Sequence, residues 1–249
     1  MNIFFDTWAW FTDSANWSGP NGIPTRLWEH IQYCVIALVV ATAIALPIGL
    51  VLGHIRRGAS LAIAISGVPR AIPTLGILVL LFRLAPVQLW PAIVALVVLA
   101  VPPILANTVV GIEGVDPAVR DAAEGMGMRA SGVLFGVEVP LGLPLVVSGI
   151  RSATSQVIAT ATIVAYGGLG GLGRFIIDGY STSNYGEVWG GALLVAALAL
   201  LAEGGLALLQ QQATRHRAPG GSRRASTVTA GQQLADLRPP PFINPGGTP

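Results

Sequence analysis

Lysine is absent from this 249-residue chain, and all fourteen of its basic residues are arginines. A chain without lysine has no Walker A motif, whose lysine binds nucleotide phosphates, and no amine for Schiff-base chemistry. The single cysteine, Cys34, excludes an intrachain disulfide. The histidines, His30, His54 and His216, are far apart in sequence and indicate neither a metal site nor a catalytic triad. We therefore predict no catalytic and no metal-binding residues.

Charged residues are also scarce, at 10% of the chain, whereas a soluble domain has about a quarter. Hydrophobic residues make up 53%, and the mean hydropathy is +0.67. Such a chain has too few polar groups to cover a surface in water, so we expect lipid to surround it. The net charge of +2 does not indicate nucleic-acid binding, because the arginines are scattered or lie at the ends of apolar segments.

Five apolar segments have close to the ~20 residues that a helix needs to cross ~30 Å of hydrocarbon. Backbone groups in lipid have to form hydrogen bonds within the chain, and the alternating pattern of a membrane barrel is absent, so we predict helices. The sequence therefore predicts an all-α, polytopic membrane protein with its membrane domain over residues 31–210. The five predicted spans are 31–53, 61–84, 89–110, 141–165 and 188–209.

Arginine is distributed unevenly between the segments that connect these spans, and the positive-inside rule then orients the chain. The favoured orientation has the N-terminus outside, the C-terminus in the cytoplasm and the 113–140 loop in the cytoplasm, in a cell-membrane protein. The inside segments then carry Arg56, Arg57, Arg120, Arg129, Arg215, Arg217, Arg223, Arg224 and Arg238. The outside segments carry Arg26 and Arg174, and Arg83 lies near the end of a span.

Two segments flank the membrane domain. Residues 1–30 lack the basic start and the cleavage site of a signal peptide, and their aromatic side chains suit the lipid headgroup layer. We interpret this extracytoplasmic segment as an interfacial anchor, with contact to an outer partner as the alternative. Residues 211–249 are rich in Gln, Gly, Pro and Arg and predict a disordered cytoplasmic tail. The aromatic residues concerned are Trp8, Trp10, Phe11, Trp17 and Trp28.

The longest polar loop, residues 113–140, predicts two short helices. Asp116 and Pro117 are typical of a helix start, and Gly125 and Gly127 of a helix end. A second helix is expected over 131–138, with Pro140 marking the return to the membrane. The residues expected along one side of the first helix are Val119, Ala122, Ala123 and Met126. Basic groups are expected on a partner of this loop, because Glu113, Asp116, Asp121, Glu124 and Glu138 outnumber Arg120 and Arg129.

This loop resembles the "EAA" loop of ABC importer permeases. The family pattern is Glu-Ala-Ala, three residues, Gly, nine residues, an aliphatic residue, one residue, then Leu-Pro. Here Asp121 replaces the usual Glu and Val139 the usual Leu, and the spacing is the same. The resemblance implies that the loop docks on an ATPase subunit. The residues that it assigns to this coupling are Asp121, Ala122, Ala123, Gly127, Val137 and Pro140.

Further stretches resemble the osmoprotectant branch of these permeases, which serves glycine betaine, choline, carnitine or proline. The resemblance implies the type I ABC importer permease fold, a second permease subunit of the same or a related chain, and an outer substrate-binding protein. ATP and Mg would be bound by ATPase subunits, with no cofactor in this chain. The stretches are 72–75, 115–117, 125–128, 149–154 and 167–173, with Glu29 and His30 before the first span.

Four residues are candidates for a substrate path or gate. Arg70 and Arg151 lie within apolar runs, where a charge usually faces a cavity or partner or else snorkels to the interface. Pro73, with Pro69, is expected to kink the second span beside Arg70. Glu203 is the only acidic residue within a predicted span. The glycine-rich stretch 167–173 is expected to form a tight turn that shapes the outer mouth.

Three other functions are compatible with this composition. A methionine or other amino-acid ABC permease shares the size and layout of the osmoprotectant branch. An ion-coupled secondary carrier would place more acidic residues within its spans, and a plain membrane anchor would not need the coupling loop. The six tryptophans lie near span ends or in the outer segment. We therefore expect the aromatic cage that selects a quaternary ammonium solute to belong to the binding protein.

Overall fold

In the computed structural model, the described residues are 2–56, 64, 76, 80–83 and 88–215, and they contain no strand. The predicted all-α fold is confirmed. The α-helices are α1 (Ile3–Thr12), α2 (Ile23–His54), α3 (Leu89–Glu113), α4 (Pro117–Gly125), α5 (Ala130–Val133), α6 (Val139–Thr160), α7 (Gly173–Ser181) and α8 (Tyr185–Arg215). A π-helical turn covers Leu134–Glu138, and 3-10 helices cover Ser14–Trp17 and Ala161–Gly167.

Four helical segments are long and apolar enough to cross a membrane, at Ile23–His54, Leu89–Glu113, Ala130–Gly167 and Tyr185–Leu208. They correspond to the predicted spans 31–53, 89–110, 141–165 and 188–209. The predicted span 61–84, with Arg70 and Pro73, falls almost entirely outside the described residues. α8 extends to Arg215. The part of the predicted tail that follows Arg215 also lies outside the described residues. Residues 1–211 form one compact unit, and the second unit, 212–249, is described only as far as Arg215.

α2 packs against α3 through a line of small residues that recurs every four positions. Lipid is as apolar as a leucine side chain, so membrane helices associate by close packing, which small residues permit. A Cβ atom at Gly49 would lie 2.7 Å from the Cβ of Thr108, and one at Gly53 would lie 2.7 Å from the Cβ of Ile112. This register makes α2 and α3 parallel. The buried line consists of Ala37, Ala41, Ala45, Gly49 and Gly53.

α6 runs antiparallel to α3, and the two backbones meet at a pair of glycines. A Cβ at Gly142 would lie 2.7 Å from the carbonyl oxygen of Gly111. α8 in turn runs antiparallel to α6, because Glu203 pairs with Arg151 and Gln210 with Pro144. The helices define two ends of the bundle. At the α4 end α2 and α3 finish and α6 begins, and at the α1 end α2 and α8 begin.

The N-terminal segment packs on the α1 end. Trp10, expected at the lipid headgroups, is instead 7% exposed, with its ring edge-on to Phe11 and Phe175 at centroid distances of 5.0 and 5.1 Å. The expectation for Trp10 is wrong because its position on α1 faces the bundle. Trp8 and Trp28 are exposed, as an interfacial anchor requires. α2 begins at Ile23 rather than at residue 31, since Pro24 lies in its first turn.

Candidate functional site

α4 forms as its sequence predicts. The Asp116 carboxylate accepts a hydrogen bond from the amide of Ala118 at 2.9 Å, and Pro117 occupies the first turn. The helix ends in a Schellman motif, in which the amides of Gly127 and Met128 donate to the carbonyls of Glu124 and Ala123. Gly127 has φ +85°, a left-handed conformation that glycine adopts without strain. The glycine of the EAA spacing is therefore the residue that ends α4.

The outward side of α4 carries Asp121 and Ala122, both exposed, with Val119 and Met126 on either side of them. Ala123, which we placed on the same side, is 2% exposed and faces the bundle. The four positions form a stripe about 100° wide, in which Ala122 and Ala123 lie at opposite edges. The edge with Ala123 packs on the bundle, so the expectation that a partner can approach Ala123 is wrong.

A charged cluster, His54–Arg120–Glu138, lies beneath α4. Glu138 is 1% exposed, and its Oε2 lies 2.5 Å from Nδ1 of His54 at the end of α2. Arg120 Nη1 donates to the His54 carbonyl oxygen at 3.0 Å and lies 3.5 Å from Glu138 Oε1. The cluster thus joins α4, the end of α2 and the π turn before α6.

Arg120 holds the cluster through a further contact on α4. Its Nε donates to Glu124 Oε1 at 2.9 Å, and this hydrogen bond, supported by the charge of Glu138, raises the pKa of Arg120. The guanidinium is therefore charged. The 3.5 Å approach to Glu138 does not have hydrogen-bond geometry, so Glu138 Oε1 accepts no hydrogen bond among the described residues.

The prediction that Glu138 adds to an acidic loop that a basic partner meets is wrong, since its side chain is buried. Because Glu138 lies in the π turn, its carboxylate faces His54 and Arg120 and not the solvent. The available signal was a single carboxylate between Val137 and Val139, ahead of an apolar helix. His54 carried no signal, since its partner is 84 residues away in sequence.

The second predicted loop helix is present, but Pro140 does not separate it from the membrane span. The chain is helical without a break from Ala130 through α6. In the π turn the amide of Val139 donates to the carbonyl of Leu134, one residue further back than in an α-helix. Pro140 follows directly after the π turn, inside this continuous helix, and donates no amide hydrogen bond there.

The pathway candidates Arg151 and Glu203 form one ion pair. Arg151 Nε lies 2.7 Å from Glu203 Oε1, and Ser155 Oγ donates to Glu203 Oε2 at 2.9 Å. Arg151 Nη1 also donates to Gln210 at 2.8 Å. The pair links α6 to α8. The other two candidates, Arg70 and Pro73, lie outside the described residues.

The glycine-rich stretch 167–173 forms a tight turn at the α1 end. Gly171 has φ +91°, and its amide donates to Glu29 Oε2 at 2.8 Å. Glu29 also pairs with Arg26 at 3.0 Å. Next to this turn the buried His30 places Nε2 3.1 Å from the carbonyl oxygen of Ile158. Among the residues that the structure describes, no three His, Cys, Asp or Glu side chains are grouped as metal ligands would be.

An all-helical membrane bundle with a Schellman-capped loop helix of EAA spacing defines a permease of the ABC importer type. The chain belongs to the family described as binding-protein-dependent transport system inner membrane component, which matches residues 45–215.

Its relatives and structural neighbours agree with this assignment. The chain is 35% identical to the carnitine transport permease protein OpuCB of Listeria monocytogenes over 76% of this chain and 87% of the relative. It is 35% identical to the choline transport system permease protein OpuBB of Bacillus subtilis over 82% and 92%. A chain of the inward-facing MetNI methionine ABC transporter superposes with a TM-score of 0.65 over 76% of this chain and 94% of that one, at 21% identity. This last likeness shows the fold.

Proposed function

We propose that this chain is the permease subunit of an ATP-driven importer for small quaternary ammonium or related zwitterionic solutes, such as glycine betaine, choline, carnitine or proline. The observation that carries the proposal is 35% identity, over most of both chains, to permeases named for carnitine and choline transport. The EAA spacing and the exposed Asp121 and Ala122 on α4 supply an independent argument for coupling to an ATPase.

The α4 end is the cytoplasmic end in this proposal, with the N-terminus outside and the C-terminus inside. Two ATPase subunits bind ATP and Mg and dock on α4, and a second permease copy or paralogue completes the path. The docking surface is apolar at Val119 and Met126, which are 43% and 78% exposed, and acidic at Asp121. Such a surface suits a groove with an apolar floor and basic rims.

A separate binding protein delivers the solute to the α1 end. Of the tryptophans that could surround a quaternary ammonium group, Trp10 is packed within the protein, and Trp8, Trp17 and Trp28 face outward near the α1 end. Selectivity for the solute therefore resides mainly in the binding protein, because each aromatic face of a cage contributes only ~0.5–2 kcal/mol and several are needed.

Uptake by proteoliposomes tests the proposal. The permease is reconstituted with the ATPase that copurifies with it, and uptake of labelled glycine betaine, choline and carnitine is measured with and without the liganded binding protein. We expect ATP-dependent uptake only when the binding protein is present. Equal uptake in its absence would refute the division of labour, and a permease that captures no ATPase would refute the importer itself.

A methionine or other amino-acid permease is the alternative, since the MetNI methionine transporter has the same fold. At 21% identity that likeness does not extend to the solute. The same vesicles distinguish the two functions: methionine uptake without glycine betaine uptake would assign the chain to the amino-acid branch. An ion-coupled carrier is disfavoured because Glu203, the acidic residue of the predicted spans, is already paired with Arg151.

A further inference from the structure

We propose that Glu138 is the positioning residue that fixes the coupling helix α4 to the inner ends of α2 and α6, and so sets how much solute moves for each ATP hydrolysed. This inference rests on the proposed coupling function and deepens it. It assigns a transmission role to a residue that does not touch the docking surface, since Glu138 is 1% exposed.

The first argument is connectivity. The Glu138 carboxylate lies 2.5 Å from the His54 imidazole of α2 and 3.5 Å from the Arg120 guanidinium of α4, while its own backbone lies in the π turn that leads into α6. A displacement of α4 therefore reaches α6 through the Glu138 carboxylate, and it reaches α2 both through Glu138 and directly through Arg120. The polar contacts of α4 to α2 and the π turn run through Arg120, which also donates to the His54 carbonyl.

The second argument is the unequal use of the two carboxylate oxygens. Oε2 has the short contact with His54, whereas Oε1 accepts no hydrogen bond among the described residues. Arg120 Nη1 donates to the His54 carbonyl at 3.0 Å, with Oε1 0.5 Å further away. Arg120 thus has a second acceptor, on the π turn, close to the one that it uses on α2. A small displacement of the guanidinium would exchange one acceptor for the other, which makes this contact sensitive to movement of α4.

The third argument is the local backbone. A carboxylate buried between Val137 and Val139 is unfavourable unless the position needs a charge. The π turn at Leu134–Glu138 aims it at Arg120, and such turns within helices frequently occur at functional sites. A residue needed only for packing would be apolar here.

The test compares two neutralised carboxylates that face the same guanidinium. Glu138→Gln changes the buried partner of Arg120, and Glu124→Gln changes its exposed partner, which lies 2.9 Å from Nε and has a side chain 49% exposed. Each variant is purified with its ATPase and reconstituted, and solute uptake and ATP hydrolysis are measured per assembled complex with the binding protein present. The KM for ATP serves as an internal control.

For Glu138→Gln we expect solute moved per ATP to fall at least about tenfold with the KM for ATP unchanged, because losing a buried charge contact is severe. Glu124→Gln should keep the ratio within about twofold, since exposed pairs contribute little. An unchanged ratio in Glu138→Gln overturns the inference, as does an equal fall in both variants. Should Glu138→Gln fail to assemble, Arg120→Lys decides, because its single ammonium cannot reproduce the guanidinium contacts to Glu124, Glu138 and His54.

Failure of this inference is distinguishable from failure of the proposed function. If wild-type complexes couple uptake to hydrolysis and Arg120→Lys couples equally well, only the role of Glu138 is lost. If wild-type permease neither binds an ATPase nor takes up solute, the importer function is itself refuted.

Discussion

The two ends of α2 each present a histidine to a neighbouring helix, but the two contacts are of different kinds. His30 lies at the α1 end and His54 at the α4 end, 24 residues later, which is ~36 Å along a helix at 1.5 Å per residue. His30 meets a backbone carbonyl beside a glycine turn, and His54 meets a buried carboxylate within a charged cluster.

At the α1 end, shape is set by the backbone. His30 Nε2 carries its proton, because it faces the Ile158 carbonyl, and Nδ1 is then a buried acceptor without a partner among the described residues. Glu29 reaches across to a backbone amide, that of Gly171, while its ion pair with Arg26 stays within α2. At the α4 end, side-chain charges make the contacts. Because of this difference, we expect substitutions at the α1 end to change the protein through steric effects, and substitutions at the α4 end to change it through lost or reversed charges.

The comparison of the two ends of α2 assumes that the α1 end and the α4 end lie on opposite sides of the membrane. Single cysteines are introduced by Ser131→Cys and Ser183→Cys in a Cys34→Ser background. Ser131 and Ser183 are exposed and Cys34 is buried. In intact cells an impermeant thiol reagent should label the Ser183→Cys variant and leave Ser131→Cys unlabelled until the cells are opened. Labelling of Ser131→Cys in intact cells would overturn the orientation.

The next largest effect is expected at the docking surface of the α4 end. Gly127→Trp adds bulk at an exposed position where no atom lies within 4 Å of a Cβ, so we expect the side chain to obstruct a partner. We expect substrate-stimulated ATP hydrolysis to fall about tenfold or more with membrane insertion retained, because a single central residue can dominate an interface.

Two further variants separate the effects of bulk, backbone strain and charge at this surface. Gly127→Ala shares the strain of φ +85° without the bulk and should couple better than Gly127→Trp. Asp121→Arg reverses the charge on the exposed side and should uncouple in the same way. Normal stimulated hydrolysis in both Gly127→Trp and Asp121→Arg would remove the coupling role from this surface.

Substituting the two histidines tests the comparison directly. His54→Leu leaves the Glu138 carboxylate with only the 3.5 Å contact to Arg120, and we expect a loss of coupling, because removing one partner of a buried charged cluster is costly. His30→Leu removes the buried hydrogen bond to the Ile158 carbonyl, worth about 0.5–1.5 kcal/mol, and should lower the Tm in detergent while solute per ATP is unchanged. The same profile in both variants would show that the two ends do not differ as we infer.

A glycine pair tests the steric end alone. Gly171→Ala forces a side chain into φ +91° and should destabilise the permease by about 1–3 kcal/mol. Gly204→Ala, in α8 with no atom within 4 Å of its Cβ, should be neutral or stabilising by about 0.5–1 kcal/mol. Thermal unfolding in detergent measures both, and equal Tm values would contradict a backbone-determined turn.

Local patterns made the helices and the α4 caps predictable from sequence. Asp116, Pro117 and Gly127 act on residues within one turn of themselves, so their roles can be read without knowing the fold. The contacts between His54 and Glu138 or between Glu29 and Gly171 join residues 84 and 142 positions apart, and no periodicity encodes them. The pairing of Arg151 with Glu203 was missed for the same reason, although both residues were singled out.

The ion pair of Arg151 and Glu203 lies between the α1 and α4 ends, and we expect its substitution to have the smallest effect on stability. Arg151 Nε lies 2.7 Å from Glu203 Oε1. Because the α8 span is otherwise little buried, we expect this pair to hold α8 against α6. Arg151→Gln, Glu203→Gln and the double variant form a cycle, whose interaction energy should be about 1 kcal/mol by thermal unfolding.

Solute uptake per assembled complex, measured for the same three variants, distinguishes a structural ion pair from residues that line or gate the solute path. A structural pair leaves uptake within about twofold in all three variants, because the substrate path does not include it. A pathway residue behaves otherwise: one single variant would lose most of its uptake with an unchanged Tm, and the second substitution would not restore it. That result would place Arg151 or Glu203 on the solute path and would make the middle of the bundle, like the α4 end, a region governed by charge.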